Sequence, residues 1–372
     1  MREKGSWSDT TYRARATVAR ERKSVTFEGE DRAKQGKGLD PLVDPAQYNV
    51  VRMSNNLLVP DGDEFVLQFG TAMPVKTDLD TTGSMGGNVE VAFKALPKVQ
   101  DLLVQGANAV LKRYHVQIQT CVVQDQGDQF PFQSTQFEPD NEVERQMGLL
   151  VPERRGGDST EDYQLGLFAA GYLTKTSIVN YGLKGYYFIV GDEIGRDELD
   201  ARGTLLRKVF GKEVMEKAFD SKKPQSLPTL EQIAKKVLEK WHVFFLQIGS
   251  QGSTTNWWSN LIGEDRVVKL SRTEDLAQVQ ACIIGLTEGV IKPKGIPEFL
   301  KAIKTDGAAI ARITNDLAGI PVGMQTALPN FDKIPTPGSR FKNREDIWPI
   351  DASGKMPKKK PDGKKSASNI GL

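Results

Sequence analysis

The strongest constraint on this 372-residue chain is a rhythm: short apolar runs alternate with segments of helical period from about residue 63 to residue 290. The run Gly185-Tyr-Tyr-Phe-Ile-Val190 is continuous rather than alternating, and so is Val243 to Ile248. Runs of that kind suit central strands of a parallel sheet covered on both faces. His115 to Val123 alternates at period two and reads as a strand, as do Phe65 to Phe69, the run into Asp78, and Arg266 to Leu270. Between them, Leu96, Val99, Leu103 and Val110 recur at helical spacing over 88–113, where Pro97 predicts a kink or two helices end to end. A short helix is expected from Glu144 to Leu150 and a further one over 161–174. Leu230, Ile233, Val237, Leu238 and Trp241 share one helical face, with Thr229 and Gln232 spaced as a capping box. Ser271 and Glu274 repeat that spacing before Leu276, Val279, Ile283 and Leu286. Strands separated repeatedly by helices predict an α/β fold, a doubly wound and mostly parallel sheet with helices on both faces.

The regions outside this rhythm set the organisation. Residues 1–62 form an N-terminal arm or extension, with one strand-like stretch at Tyr48 to Met53. Residues 63–290 form the sheet domain, and 291–350 a Pro-punctuated C-terminal extension with a helical segment around Ala308 to Leu317. Residues 351–372 read as a basic flexible tail, KMPKKKPDGKK. Both arms read as solvated, with assembly onto another copy or partner as the alternative. No aromatic residues interleave with the lysines, so nucleic acid is not an expected partner. No run of eighteen apolar residues occurs, so no membrane span is expected. The opening MREKGSWSDTTYRARA has no apolar core behind its charges and does not read as a secretory signal. Cys121 and Cys282 lie in apolar segments and are expected as reduced core residues, which points to the cytoplasm. His115 and His242 share no metal spacing.

In doubly wound sheets, ligands bind at the carboxyl ends of the strands near the point where strand order reverses. Three polar loops belong there: 78–84, 156–162 and 191–197. In the first, VKTDLDTTGSMGG, Asp78, Asp80, Thr82 and Ser84 fall on every second position. One reading is a helix cap by Ser84 or Asn88. A D-x-T-x-S match is common by chance, but this one sits at a strand-to-helix junction and has companions. A second reading notes that Asp78-Leu-Asp80-Thr-Thr82 and Gly191-Asp192…Asp197 resemble motifs of haloacid-dehalogenase-like phosphatases. That likeness implies Asp78 as nucleophile, Asp80 as general acid/base, and Asp192 and Asp197 as magnesium ligands. A lysine before Gly191 is then required, and Lys175 and Lys184 stand in no recognisable context. A third reading combines Asp80, Thr82 and Ser84 with Asp158, Ser159 and Thr160 after a Gly-Gly turn, and with Asp192 above a central strand. Carboxylates and neutral hydroxyls suit a hard cation that keeps residual positive charge.

The segment DTTGSMGGNVEVAFKALPKVQDLL resembles the opening of a von Willebrand factor A domain with its metal-ion-dependent adhesion site. The likeness continues through VVQDQGDQFPFQSTQFEPDNEVERQMGLLVPERRGGDSTEDYQLGLFAAGYL, in the manner of bacterial and phage members, and covers about residues 70 to 290. It implies a Rossmann-like sheet and a non-enzymatic scaffold or adhesion module, with a structural or assembly protein of the same fold and an empty metal site as the alternative. It further implies one Mg²⁺ or Mn²⁺ at Asp80, Thr82, Ser84, Asp192 and a donor among Asp158 to Thr160, foremost Thr160. The implied partner is a protein offering an Asp or Glu. The second loop, GGDSTED, leaves the choice of donor open, and the third reads VGDE where the family usually has TDG.

Overall fold

A computed structural model describes residues 28–46, 53–154, 160–199, 203–218 and 227–343. Residues 1–27 and 47–52 of the N-terminal arm, the latter including 48–52 of the strand expected at Tyr48 to Met53, lie outside the described residues, as do the basic tail 351–372 with its lysine cluster, and Asp158 and Ser159.

Six strands make the central sheet: β1 Thr71–Asp80, β2 Tyr114–Val123, β3 Phe132–Ser134, β4 Gly185–Gly191, β5 Trp241–Ile248 and β6 Val267–Leu270. Their order is β6-β5-β4-β1-β2-β3, parallel throughout except where β3 pairs antiparallel with β2. The chain passes from β1 outward to β2 on one side and later returns to lay β4 on the other. Strand order therefore reverses between β1 and β4, which opens a crevice at their carboxyl ends.

Eight helices bear on the argument: α1 Asn88–Ala95, α2 Pro97–Val104, α3 Tyr163–Phe168, α4 Leu230–Lys240, α5 Gly252–Ile262, α6 Leu276–Thr287, α7 Ile296–Ala302 and α8 Gly307–Asp316. β4 shows why its sequence is apolar at every position. Tyr186, Phe188 and Val190 join one core layer with α1, α2, α6, α7 and α8. Tyr187 and Ile189 join a second layer with α3, α4 and α5. Burying each large side chain contributes about 1.5–3 kcal/mol, so a strand covered on both faces contributes at every residue.

Pro97 occupies the first turn of α2, where its missing N–H costs nothing, and it divides the expected helix in two. The helical period ends at Val104, so Val110 belongs to the connection that follows. α4 carries the expected capping box: Thr229 N donates to Gln232 Oε1 (2.9 Å) and Gln232 N to Thr229 Oγ1 (3.3 Å). The second capping box does not form. Ser271 Oγ instead donates to Asp316 Oδ1 (2.5 Å) at the end of α8, and α6 starts only at Leu276 after a turn at Thr273–Asp275. A partner distant in sequence has taken the cap.

Every residue of α6 except Gln278 is buried, because α7 and α8 cover the side that would otherwise face water. The expected helix over 161–174 is α3 followed by a wider turn, Ala169–Leu173. Trp241 Nε1 and Lys240 Nζ satisfy carbonyls of that turn at Ala170 (3.2 Å) and Gly171 (2.6 Å). The strand expected at Phe65 lies outside the central sheet. Glu64–Leu67 pairs antiparallel with Leu58–Asp61 and with Arg340–Phe341. Cys121 and Cys282 are buried free thiols. No helix among the described residues is long and apolar enough to cross a membrane.

Candidate metal centre

β1 delivers Asp80 to the crevice as its last residue. The chain is then pinned to β2, with Thr81 N donating to Val123 O (3.1 Å) and Thr81 Oγ1 to Gln124 Oε1 (3.1 Å). Asp80 Oδ1 accepts from Thr82 N (2.9 Å) and Thr82 Oγ1 (2.6 Å), a tight turn in which a carboxylate closes on the residue two ahead. The Thr82 and Ser84 hydroxyl oxygens lie 3.2 Å apart, and Ser84 Oγ donates to Asp192 Oδ1 at 3.0 Å. Met85, fully buried, anchors the turn, while Ser84 is exposed. Four residues named from the sequence thus share one hydrogen-bonded chain, running from the interior at Asp80 to solvent at Ser84. Neither Ser84 nor Asn88 caps α1: Asn88 Oδ1 accepts from Thr273 Oγ1 (2.7 Å).

The third loop is held from behind by α5. Thr254 Oγ1 donates to Asp192 O (3.1 Å) and Trp258 Nε1 to Glu193 O (3.2 Å). Trp257 Nε1 donates to Asp197 Oδ1 (2.9 Å), which sets that aspartate on the flank of α5. Gly191 in VGDE has a steric reason. A Cβ there would stand 1.9 Å from Tyr163 Oη, the hydroxyl that donates to Asp80 Oδ2 at 2.5 Å. Only glycine lets α3 bring that tyrosine under the crevice.

The second loop enters through Thr160 and Glu161, which pair in parallel with Ile194 and Gly195. Arg196 ties the two loops together, donating to Thr160 Oγ1 (3.0 Å), Asp162 Oδ1 (3.2 Å) and Asp125 Oδ1 (3.1 Å). Thr160 is therefore at the site's edge with its hydroxyl held by a guanidinium. Glu161, Tyr163 and Arg196 were not singled out in the sequence. The acidic pair in STED was the available signal for Glu161, and Tyr163 reads there only as the first residue of a helix.

Electrostatics mark the cluster. Burial pushes the Asp80 carboxyl up to about 6, against the hydrogen bonds from Thr82 and Tyr163. Burial and then the neighbouring Asp80 charge push Glu161 up to about 9. Asp192 is also raised, mainly by burial, with Ser84 opposing. Three acids crowded into a small, partly dry volume resist ionising together, and a cation would relieve all three. Among the described residues no three His, Cys, Asp or Glu side chains are arranged to enclose a metal by themselves. The available donors are mixed, carboxylates with hydroxyls, all oxygen, and this set fits a hard divalent cation.

Asp78 is placed differently. It is 1% exposed and on the inner side of the sheet, ion-paired with Lys76 and accepting from Tyr187 Oη (2.6 Å). A Cβ on Gly166 of α3 would come within 1.9 Å of its Oδ2, so helix backbone closes the space above it. Burial lowers the Lys76 ammonium to about 8.

No family model and no curated protein matches this sequence. Among solved structures, the mussel byssus proximal thread matrix protein 1 is similar at 11% identity and a TM-score of 0.35, covering 62% of this chain and 48% of that one. The same mussel protein with a zinc-occupied MIDAS motif gives 12%, 0.36, 58% and 48%. A von Willebrand factor type A protein from Catenulispora acidiphila gives 12%, 0.34, 64% and 48%. In each case this chain spans under half of the solved chain's length. Likeness at this level carries no argument of its own.

Proposed function

We propose that this chain is a von Willebrand factor A-type module that binds one divalent cation and, through it, an acidic residue of a protein partner. Asp80, Thr82, Ser84 and Asp192 would hold the cation, with a further donor from Asp158 to Thr160. The observation that supports this is the continuous hydrogen-bonded chain from Asp80 through Thr82 and Ser84 to Asp192, at the point where strand order reverses. Oxygen donors of these types favour Mg²⁺ or Mn²⁺. The bound ion supplies residual positive charge for an anionic oxygen. The residues named supply its position: β1 and α5 fix the two aspartates, and the turn at Gly83–Met85 brings Ser84 to the surface.

The module acts by binding rather than by turnover. A phosphatase needs its nucleophilic aspartate open to substrate, and Asp78 is interior, ion-paired and under Gly166. Two reduced thiols suit a cytoplasmic setting. Calorimetry of Mg²⁺ against wild type and Asp80→Ala tests the site, and equal affinity in both would sink it. Magnesium-dependent hydrolysis of a generic phosphate ester by wild type, lost in Asp78→Asn, would replace this reading with the phosphatase.

A further inference from the structure

A small cavity lies between the sheet and the wide turn Ala169–Leu173, and none of the residues proposed to hold the cation lines it. Lys76 of β1 and Gln119 of β2 face it from the sheet, and Ala169 and Thr174 from the turn. Its volume of about 10 Å³ is the least that admits one water, and too little for anything larger. Lys76 is 1% exposed, and its ammonium carries three N–H donors. Asp78 Oδ1 takes one, and the face of the Tyr187 ring, 4.2 Å from Nζ, covers a second side. Cys121, opposite Asp78 across β1 and β2, offers only a thiol, a weak acceptor, and does not line the cavity.

Gln119 is as deeply buried. Its Nε2 donates to Ser134 Oγ (3.0 Å) and Thr135 O (3.0 Å). A backbone carbonyl can only accept, so the bond to Thr135 fixes which end of the amide is which. The Oε1 therefore points away from Ser134 and Thr135, and it has no hydrogen-bond partner among the described residues. Lys76 and Gln119 are partners in the β1–β2 register, so both side chains leave the same face of the sheet. A donor in want of an acceptor and an acceptor in want of a donor thus line one cavity without bonding each other. We propose that one water molecule binds there as a structural ligand, accepting from Lys76 Nζ and donating to Gln119 Oε1. Thr174 Oγ1 gives its own proton to Ala169 O (2.9 Å), which leaves it as the acceptor for the water's second proton. Three hydrogen bonds are what a buried water typically makes. The wide turn supplies the room: its closing bond, Thr174 N to Ala169 O (2.8 Å), brings Thr174 to the cavity wall. The water then ties β1 and β2 to the turn that ends α3.

The test begins with a high-resolution crystal structure of the full chain. A single solvent peak is expected within about 3.2 Å of both Lys76 Nζ and Gln119 Oε1. Magnetic relaxation of the solvent then counts long-lived internal waters in wild type and in Gln119→Leu, which is close in size and lacks the acceptor. The count is expected to fall by one, and the unfolding equilibrium constant to rise about tenfold. A Gln119 that served only to hold Ser134 and Thr135 would raise that constant and leave the count unchanged. An unchanged count, no peak at the site, or a direct bond between Lys76 Nζ and Gln119 Oε1 overturns the proposal. Density for anything larger than a water does the same. Should Gln119→Leu not fold, the wild-type peak decides alone: its presence between the two atoms upholds the site, and its absence ends it.

Discussion

The two ends of the central sheet each bury an acid, and they treat it in opposite ways. At the amino end, Glu288 follows α6 and is 3% exposed. Tyr186 Oη donates to its Oε1 (2.7 Å) and Tyr114 Oη to its Oε2 (3.1 Å). Gln325 extends the cluster, pairing with His242 Nε2 (2.9 Å) and donating to Lys184 O (2.8 Å), with His242 Nδ1 left unpaired. Burial still pushes Glu288 up to about 7. At the carboxyl end Asp80 is as deeply buried, but its donors lead through Thr82 and Ser84 to solvent, and Glu161 beside it has an unpaired oxygen. A raised carboxyl therefore does not by itself mark a ligand site. What distinguishes the two ends is whether every carboxylate oxygen finds a donor and whether the network reaches water.

The contrast can be broken by mutation. Asp80→Ala is expected to weaken Mg²⁺ binding at least about a thousandfold, about 4 kcal/mol, while Glu288→Ala leaves it unchanged. Comparable losses in both variants, measured by calorimetry, would mean that the ends are coupled. The pH dependence of stability gives the next largest effect. The folded Glu288 carboxyl titrates at about 7 against an ordinary 4.5, so its contribution is fully present below about 4.5 and is lost as pH rises through about 7. The stability of wild type relative to Glu288→Gln should fall by about 3 kcal/mol across that window in denaturant unfolding. His242, lowered to about 4 by burial, costs stability as pH falls below about 6.5, the opposite slope. It is present in both proteins and drops out of the difference. A flat difference would show that Glu288 is not titrating there.

Two smaller effects sharpen the carboxyl end. Chelation should weaken a partner captured from the source organism by more than about tenfold, or 1.4 kcal/mol, and Glu288→Gln should not. A partner held equally with and without chelator would place recognition elsewhere on the chain. Thr254→Val removes the hydroxyl that holds the Asp192 carbonyl. It is expected to cost about 1 kcal/mol of stability and about threefold in metal affinity. No change in either would show that α5 does not position the third loop.

Much of this architecture was legible in the chain. Continuous apolar runs at 185–190 and 243–248 declared strands covered on two faces, because only such strands gain from burial at every position. Pro97 announced a kink or a helix boundary, because a ring nitrogen has no proton to donate, and the structure made it a boundary. The site was half legible. Asp80, Thr82 and Ser84 sit on alternate positions after a strand, and Asp192 follows another, so their meeting could be argued from parallel topology alone. Glu161 and Tyr163 could not be found that way, since one looks like part of an acidic loop and the other like the start of an apolar helix face.

The sequence by itself determined which segments become strands and helices, and that the polar loops gather at one end of the sheet. Both follow from local periodicity, which each segment carries within itself. Only the tertiary structure decided which polar atoms find partners. Asp316 takes Ser271 from its expected cap, Gly191 admits Tyr163 beneath Asp80, and Gly166 closes over Asp78. Hydrogen-bond pairing is a competition between groups far apart in the chain, and its outcome depends on distances of tenths of an ångström that no local pattern records.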